Sequence, residues 1–526
     1  MKKLFCSILI TGFISAGVFA QLDTSFNSVG FQTASFGFHA MGSDVAVQPN
    51  NKIVVAGQCQ PEIFQQCVAR YNEDGSLDTT FAEKGFLVNL DVESGGRVAF
   101  QSDGKIVVGG TKRFESFPSY SDTPTLTRYN PDGSLDSSFG GGNVVIAGAG
   151  MGIAYPTGLA IQADGKIVMV GGSYPWSRLG TTLSGGWMVR YLPNGTPDNS
   201  FGTGGIMNLT MTDQTTCAGV AIQPDGKILL SIYTSTAAGT PPPKSMLWRL
   251  NANGTPDPAW GGGDGIVDVP AAPFLNSIKY LNVMLDGRVV AISDFRAIFR
   301  FNPDGSLDTS LDGDGIRELT GITAVNTDLT VTASGKIMIT GPSPSGSSKF
   351  SIYKFKADGA VETGFGNNGA LVVDPIISAS ENSFSLSSVF DTQGRLVIGG
   401  YLASTPMSFA VVRLLAPPAT SVSVSGRVTG PNGNGVSGVT VSTSGVSATT
   451  TPFGFYTLNN IQTNRTYIFS VRSKTDLSFN KRTILVDDQI SGLDFVGQQL
   501  DSRTIQIDKI DEPAPRSPGP SIRKLR

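Results

Sequence analysis

Seven copies of one short phrase set the first constraint on this chain. The phrase reads VQPNNKIVV from Val47, FQSDGKIVV from Phe100, IQADGKIVM from Ile161, IQPDGKILL from Ile222, MLDGRVV from Met284, TASGKIMI from Thr332 and DTQGRLVI from Asp391. Aligned on Asn51, Gly104, Gly165, Gly226, Gly287, Gly335 and Gly394, the copies step by 53, 61, 61, 61, 48 and 59 residues. Repetition at such a period marks a propeller or a solenoid.

The turns choose between the two. In IQADGKI an Asp-Gly pair joins two apolar alternating runs, which predicts a hairpin loop closed by a left-handed Gly165 with Ile161 opposite Ile167. A second turn of the same kind follows in each unit. In RYNPDGSLD it sets Tyr129 opposite Leu135 and Arg128 opposite Asp136. Two hairpins per unit give four strands, and four-stranded antiparallel sheets repeated radially make a β-propeller. The expectation is an all-β chain with a seven-bladed β-propeller over residues 21–416, a solenoid being the alternative.

An arginine and an aspartate eight positions apart recur with the second turn: Arg70 and Asp78, Arg128 and Asp136, Arg190 and Asp198, Arg249 and Asp257, Arg300 and Asp308. In the sixth unit they become Lys354 and Glu362. Both members change and the charges stay, which predicts a structural ion pair rather than a ligand site. The seventh unit has Arg413 but Ser421 where the acid is due, while the N-terminal QLDTSF holds Asp23 with no arginine before it. Pairing Asp23 with Arg413 repairs both deficits and predicts a ring closed by an N-terminal strand, with no open sheet edge at the seam.

The words DGKIVVGG and RYNPDGSLDSSFG resemble the delta-60 repeat family of bacterial β-propellers over residues 22 to about 415. That resemblance implies a fold and an exported setting, and no general activity. From Ser421 the vocabulary changes. VSGRVTGPNGNGVSGVTV and FGFYTLNNI, with Gly454 and Tyr456, resemble a carboxypeptidase regulatory-like domain, which implies a prealbumin-like β-sandwich over residues 421–498 acting as a spacer or docking unit. The Pro-rich residues 499–526 are expected to be a disordered tail.

Residues 1–20 have the form of a signal peptide: Lys2 and Lys3, an apolar run from Leu4 to Phe19, and Val18-Phe19-Ala20 before Gln21. The expected location is secreted or cell-surface, the periplasm included, without membrane insertion once the leader is removed. A net charge of -3 gives no pull toward nucleic acid. In an oxidising compartment Cys59 and Cys67, flanking QPEIFQQ, are a disulfide candidate, and Cys217 is left over as a buried thiol.

Meander geometry puts both Asp-Gly turns of a unit on one face of the disc and the other connections on the opposite face. There the second, third and fourth units carry the insertions TKRFESFPSYSDTPT, GSYPWSRLGTTLSGGW and YTSTAAGTPPPKSM. Their aromatics Phe114, Phe117, Tyr120, Tyr174 and Trp176 are the candidate binding residues. Alternatively these rings only pack on the disc. With His39 as the single histidine there is no multi-histidine metal site and no histidine triad in a recognisable context. Asp312 and Asp314 suggest calcium until the register shows them to be this unit's copy of a repeat turn. Glu115 and Asp122 remain as loop carboxylates. The reading is an exported, monomeric, non-enzymatic binding or scaffold protein, without cofactor or metal, whose partner is an extracellular polymer or envelope protein. A polysaccharide lyase or glycosidase using loop carboxylates and a purely structural surface protein are the alternatives.

Overall fold

The computed structural model describes residues 21–499 apart from residue 83 and the segments 117–118, 142–144, 147–152, 175–184, 210–213, 236–243, 271–277, 294–296, 321–327, 343–348, 374–382 and 474–475. The expected signal peptide and nearly all of the expected tail, residues 1–20 and 500–526, lie outside the described residues.

Every named element is a strand, and among the described residues the first part of the chain makes seven antiparallel meanders of four strands. The first runs His39–Val47, Ile53–Gln60, Gln65–Tyr71 and Phe86–Asn89, from the axis outward. A backbone bridge, Gly172 with Thr216, links the third and fourth meanders, which also share a hydrophobic core. The seventh takes Ser383–Phe390, Leu396–Leu402 and Ser408–Arg413 from the end of the ring and Phe31–Ala34 from its beginning, with Phe31 opposite Val412.

The second strand of each meander is where the repeat phrase ends in Ile-Val or a close variant, and the reason is burial on both faces. Val54 and Ala56 pack with Ile106 and Val108 of the next sheet. The Asp-Gly turns supply the reversals. Gly165 has φ +81°, its amide donates to the Gln162 carbonyl at 2.8 Å, and Ile161 faces Ile167. A residue with a Cβ is disfavoured at that φ, so glycine holds the turn.

Residues 421–499 form a three-stranded sheet (Phe455–Gln462, Ser421–Thr429, Phe495–Val496), a four-stranded sheet (Val446–Thr449, Thr440–Thr443, Arg465–Arg472, Arg482–Val486) and a short pair. Val424, Val441, Leu458, Phe469 and Val486 fill one core between them. The Tyr456 hydroxyl, buried in the same core, donates to the Leu493 carbonyl at 2.5 Å.

This unit sits on the Asp-Gly face of the ring, against the first turns of the fifth, sixth and seventh sheets. Leu285 and Ala333 pack on its core, and the Thr466 amide donates to the Thr392 carbonyl. The Ser334 amide and hydroxyl both donate to Asp487, at 3.0 and 2.5 Å, and Lys336 donates to Asp488 at 2.8 Å. Asp487→Ala leaves two donors of Ser334 without their acceptor. We expect it to weaken docking by about 1–2 kcal/mol and to speed protease cleavage in residues 415–420. Lys336→Ala breaks an ion pair half open to solvent and is expected to cost less than about 1 kcal/mol. Equal cleavage rates in wild type and the Asp487 variant would refute this account of the interface.

Candidate functional site

The repeated charges come first because they decide which polar residues are free for a ligand. Arg70, Arg128, Arg190, Arg249 and Arg300 meet Asp78, Asp136, Asp198, Asp257 and Asp308 at 2.6, 2.8, 2.8, 2.7 and 2.6 Å. Each arginine also reaches forward. Its Nη1 donates to a turn carbonyl of the following sheet, from Pro131, Pro193, Ala252, Pro303 and Ala357 in order. Four of these guanidinium groups lie 4.3–4.7 Å over an aromatic ring: Phe81, Phe139, Phe201 or Trp260. The cation of the repeat phrase joins in, with Lys52 on Asp78 and Lys105 on Asp136. These groups clip one sheet to the next and are spent on the fold.

The same clip spans the seam. Arg413 Nε lies 2.8 Å from Asp23 Oδ2, with the two side chains 1% and 3% exposed. Arg413 also donates to Ser25 Oγ at 3.1 Å and to the Glu73 carbonyl, and lies over Phe26. Leu22 bridges to Leu414.

The sixth sheet departs from the expected direct pair. The Glu362 amide donates to the Lys354 carbonyl at 2.9 Å, so the turn itself is kept. Yet among the described residues no side-chain hydrogen bond or ion pair joins Lys354 to Glu362. Lysine lacks the planar fork with which the arginines hold the acid and the next sheet's carbonyl in one fixed geometry. Lys354 Nζ instead rests 5.5 Å from the Phe365 ring centre.

The aromatic candidates are only partly placed. The second-unit insertion prolongs a hairpin rather than forming an open loop: Ile106–Ser116 pairs with Ser119–Tyr129 up to Ser116 opposite Ser119. Phe114 and Tyr120 belong to these strands, and Tyr174 ends Ile167–Tyr174 opposite Ile153. Their side chains, and all of Phe117 and Trp176, lie outside the described residues. Asp122 is held by Arg113 at 2.8 and 3.1 Å. The described open face shows other apolar groups, with Ile63 59%, Phe64 45% and Leu90 72% exposed. Ile63 and Phe64 sit in the loop closed by the Cys59–Cys67 disulfide, whose Cα atoms are 5.8 Å apart.

Sequence reasoning overlooked a second constellation, around the axis. Seven residues before each turn position stand Asp44, Arg97, Gly158, Gly219, Tyr280, Asp328 and Ser387. In six of the seven units they follow or lie next to an irregularity of the innermost strand. Asp44 accepts from the Val98 amide of the next sheet at 2.9 Å and from Ser387 Oγ at 2.7 Å. Asp328 accepts from the Ser388 amide and hydroxyl at 2.5 and 3.1 Å. Arg97 hydrogen-bonds Tyr280, three sheets away, and feels the charges of Asp44 and Asp328. The glycines admit nothing larger, since a Cβ on Gly219 would lie 2.6 Å from the Lys279 carbonyl oxygen.

Asp44, Arg97, Tyr280 and Asp328 are enclosed by protein yet keep a partly exposed surface, as befits groups lining a narrow axial channel, while Ser387 is buried beside them. Loss of hydration pushes the Asp328 carboxyl up to about 6, with a contribution from the charge of Asp44, against its hydrogen bonds from Ser388. Asp44 moves the same way for the same first reason, while Arg97 opposes. Arg97 stays firmly charged, since Tyr280 and the two carboxylates outweigh the cost of its burial.

Other candidates resolve into structure. His39 Nδ1 accepts from the Met407 amide at 3.1 Å. Asp312 pairs with Arg317 at 3.1 Å, and Asp314 accepts from the Ile316 amide at 2.8 Å, both within the repeat turn. Cys217 is buried and reduced, its thiol pushed well up by loss of hydration. Among the described residues no group of three or more metal-ligating side chains occurs, and no helix is long and apolar enough to cross a membrane.

Residues 48–81, 101–139, 162–201, 223–259 and 285–311 match a family described as "Domain of unknown function (DUF5122) beta-propeller". No curated protein matches the chain. Among solved structures it is similar to a protein of unknown function from Dyadobacter fermentans, at 13% identity over 73% of this chain and 99% of that one, with a TM-score of 0.39. An α-L-arabinofuranosidase from Fusarium graminearum, in complex with an iminosugar inhibitor, aligns at 9% identity over 60% of this chain and 93% of its own, TM-score 0.40. A glucose dehydrogenase aligns at 11% identity over 73% and 99%, TM-score 0.36. At these identities and scores the likenesses bear on neither substrate nor reaction. With its meanders joined end to end and its matched repeats between residues 48 and 311, the chain is a β-propeller protein.

Proposed function

We propose that this chain is an exported, non-enzymatic binding or scaffold protein: a seven-bladed ring of delta-60 type whose open face meets an extracellular polymer or envelope protein, with a prealbumin-like sandwich on the other face. The observation that carries the reading is the division of the two faces. The C-terminal unit occupies the Asp-Gly face at sheets five to seven, while the opposite face presents the long hairpin through Lys112 and Asp122 and the exposed Ile63, Phe64 and Leu90. Exposed apolar groups on a rigid support are a common contact surface. Phe114 and Tyr120 lie in the strands of that hairpin, and they are the residues expected to meet the partner there.

The test is binding to an array of cell-surface glycans and to purified envelope proteins, repeated with residues 111–125 replaced by a two-residue turn and with Phe64→Ser. Affinity should fall by roughly tenfold or more, as when central contact residues are lost. Unchanged binding would remove the open face from the account. One observation favours a second reading, a carbohydrate-cleaving enzyme: Asp328 holds a raised pKa near Arg97 and Tyr280 in the axial channel. Turnover of a polysaccharide that disappears in Asp328→Asn would establish it over the first.

A further inference from the structure

Between the ring and the C-terminal unit lies a cavity of about 760 Å³, lined by residues of the sixth and seventh sheets, by Leu415, Pro417 and Pro418, and by Asn464, Leu485 and Asp487 beyond them. Its origin is the break in the repeat. In the other sheets the clip arginine donates forward to a turn carbonyl of its neighbour. The seventh sheet has no such turn, because after Arg413 the chain runs through Leu414–Pro418 toward the C-terminal unit. Lys354 thus stands where a clip arginine has nothing ahead to hold, and the space opens there.

The polar groups of this cavity are unevenly spent. Lys336 is on Asp488, and Asp487 takes both donors of Ser334. Lys354 Nζ has no hydrogen bond or ion pair among the described residues, only the distant face of Phe365. Loss of hydration and then repulsion from Lys336 make its charge costly, holding its pKa below the usual lysine value despite Glu362. An anion beside it would relieve both effects. The rest of the wall is mainly apolar, with Met338, Phe365, Leu396, Leu414 and Leu485.

We propose that this cavity binds a monocarboxylate with an aliphatic body, its head group on Lys354 and its chain along the wall of Met338, Phe365 and Leu485. One free ammonium matches one negative charge, whereas Glu362 and Asp487 on the same wall would repel a dianion such as a phosphate monoester. An aliphatic chain suits a largely apolar pocket of this size. The site is separate from the open face, so its fate is independent of the function proposed above.

The experiment titrates sodium decanoate, below micelle-forming concentrations, into the full chain by calorimetry, with decan-1-ol and decyl phosphate in parallel. Decanoate should bind one per chain and more tightly than either comparator, weakening as pH rises and Lys354 loses its proton. Lys354→Met should reduce decanoate affinity roughly tenfold or more, the worth of a charge-assisted hydrogen bond, and Lys354→Arg should retain most of it. Should Lys354→Met fail to melt cooperatively, the preference of the wild type for decanoate over decan-1-ol and its loss at high pH decide the matter. Absence of one-site decanoate binding, equal affinity for the alcohol, or equal affinity in a folded Lys354→Met would each overturn the proposal.

Discussion

Replacing Arg413 with methionine is expected to lower the stability of the ring by about 3 kcal/mol, the low end of the 3–5 kcal/mol range for removing one partner of a buried pair. Asp23 would be left 3% exposed with its charge and without its closest cation. Two features set the value at the low end. Arg395 lies 3.7 Å from Asp23 and can take part of the load, and the pair sits near the turn face rather than at the centre of the disc. Lost with the guanidinium are its bonds to Ser25 and to the Glu73 carbonyl, so the seam loosens toward both neighbours. A second variant, Arg413→Met with Asp23→Leu, removes the stranded charge and should recover part of the loss. Urea unfolding measures both. A loss below about 1 kcal/mol in the single variant would mean that the termini do not close the ring through this contact.

Much of this was open to a reader of the sequence, because a clip that recurs leaves a periodic trace. Arg128 and Asp136 contact each other since a three-residue turn sets them opposite, and that turn is written as Pro131-Asp132-Gly133 in the chain itself. The orphan Asp23 was legible for the same reason. Three things were not. The exchange of Arg and Asp for Lys354 and Glu362 preserved charge, and charge alone does not reveal that the forward carbonyl is missing and the side chains have separated. The axial group escaped because Asp44, Arg97, Tyr280 and Asp328 share a register but not one residue type. Counting back seven residues from each turn glycine would have gathered them. The apolar contacts of Leu285 and Ala333 with the C-terminal unit carry no local signal either, as they sit in otherwise ordinary repeat turns.

The axial carboxylates and the clip carboxylates should pull stability in opposite directions with pH, and Asp328→Asn should separate them. For Asp23, Asp78, Asp136 and Asp308 loss of hydration favours the neutral acid, but hydrogen bonds and neighbouring cations outweigh it and hold each below the ordinary value of 3.8. Their contribution is present above that value and is lost as pH falls below it. Asp328 has the reverse sign. Its carboxyl lies near 6 in the folded chain against 3.8 ordinarily, so the stability it contributes is full below 3.8 and is lost as pH rises through 6. A shift of that size corresponds to about 3 kcal/mol, which solvent in the channel reduces to about 1–2 kcal/mol. Asparagine keeps an acceptor for the Ser388 amide and hydroxyl while removing the charge, and Arg97 retains Asp44 and Tyr280. Asp328→Asn should therefore be more stable than wild type at pH 7.5 by about 1–2 kcal/mol, match it near pH 4, and leave the acid limb governed by the clips intact. Urea midpoints across pH 3.5–8 read all three. If the variant proves less stable at pH 7.5, Asp328 must instead be held as a needed anion by Arg97, and the channel is then a charge-paired crossbar whose removal weakens the ring.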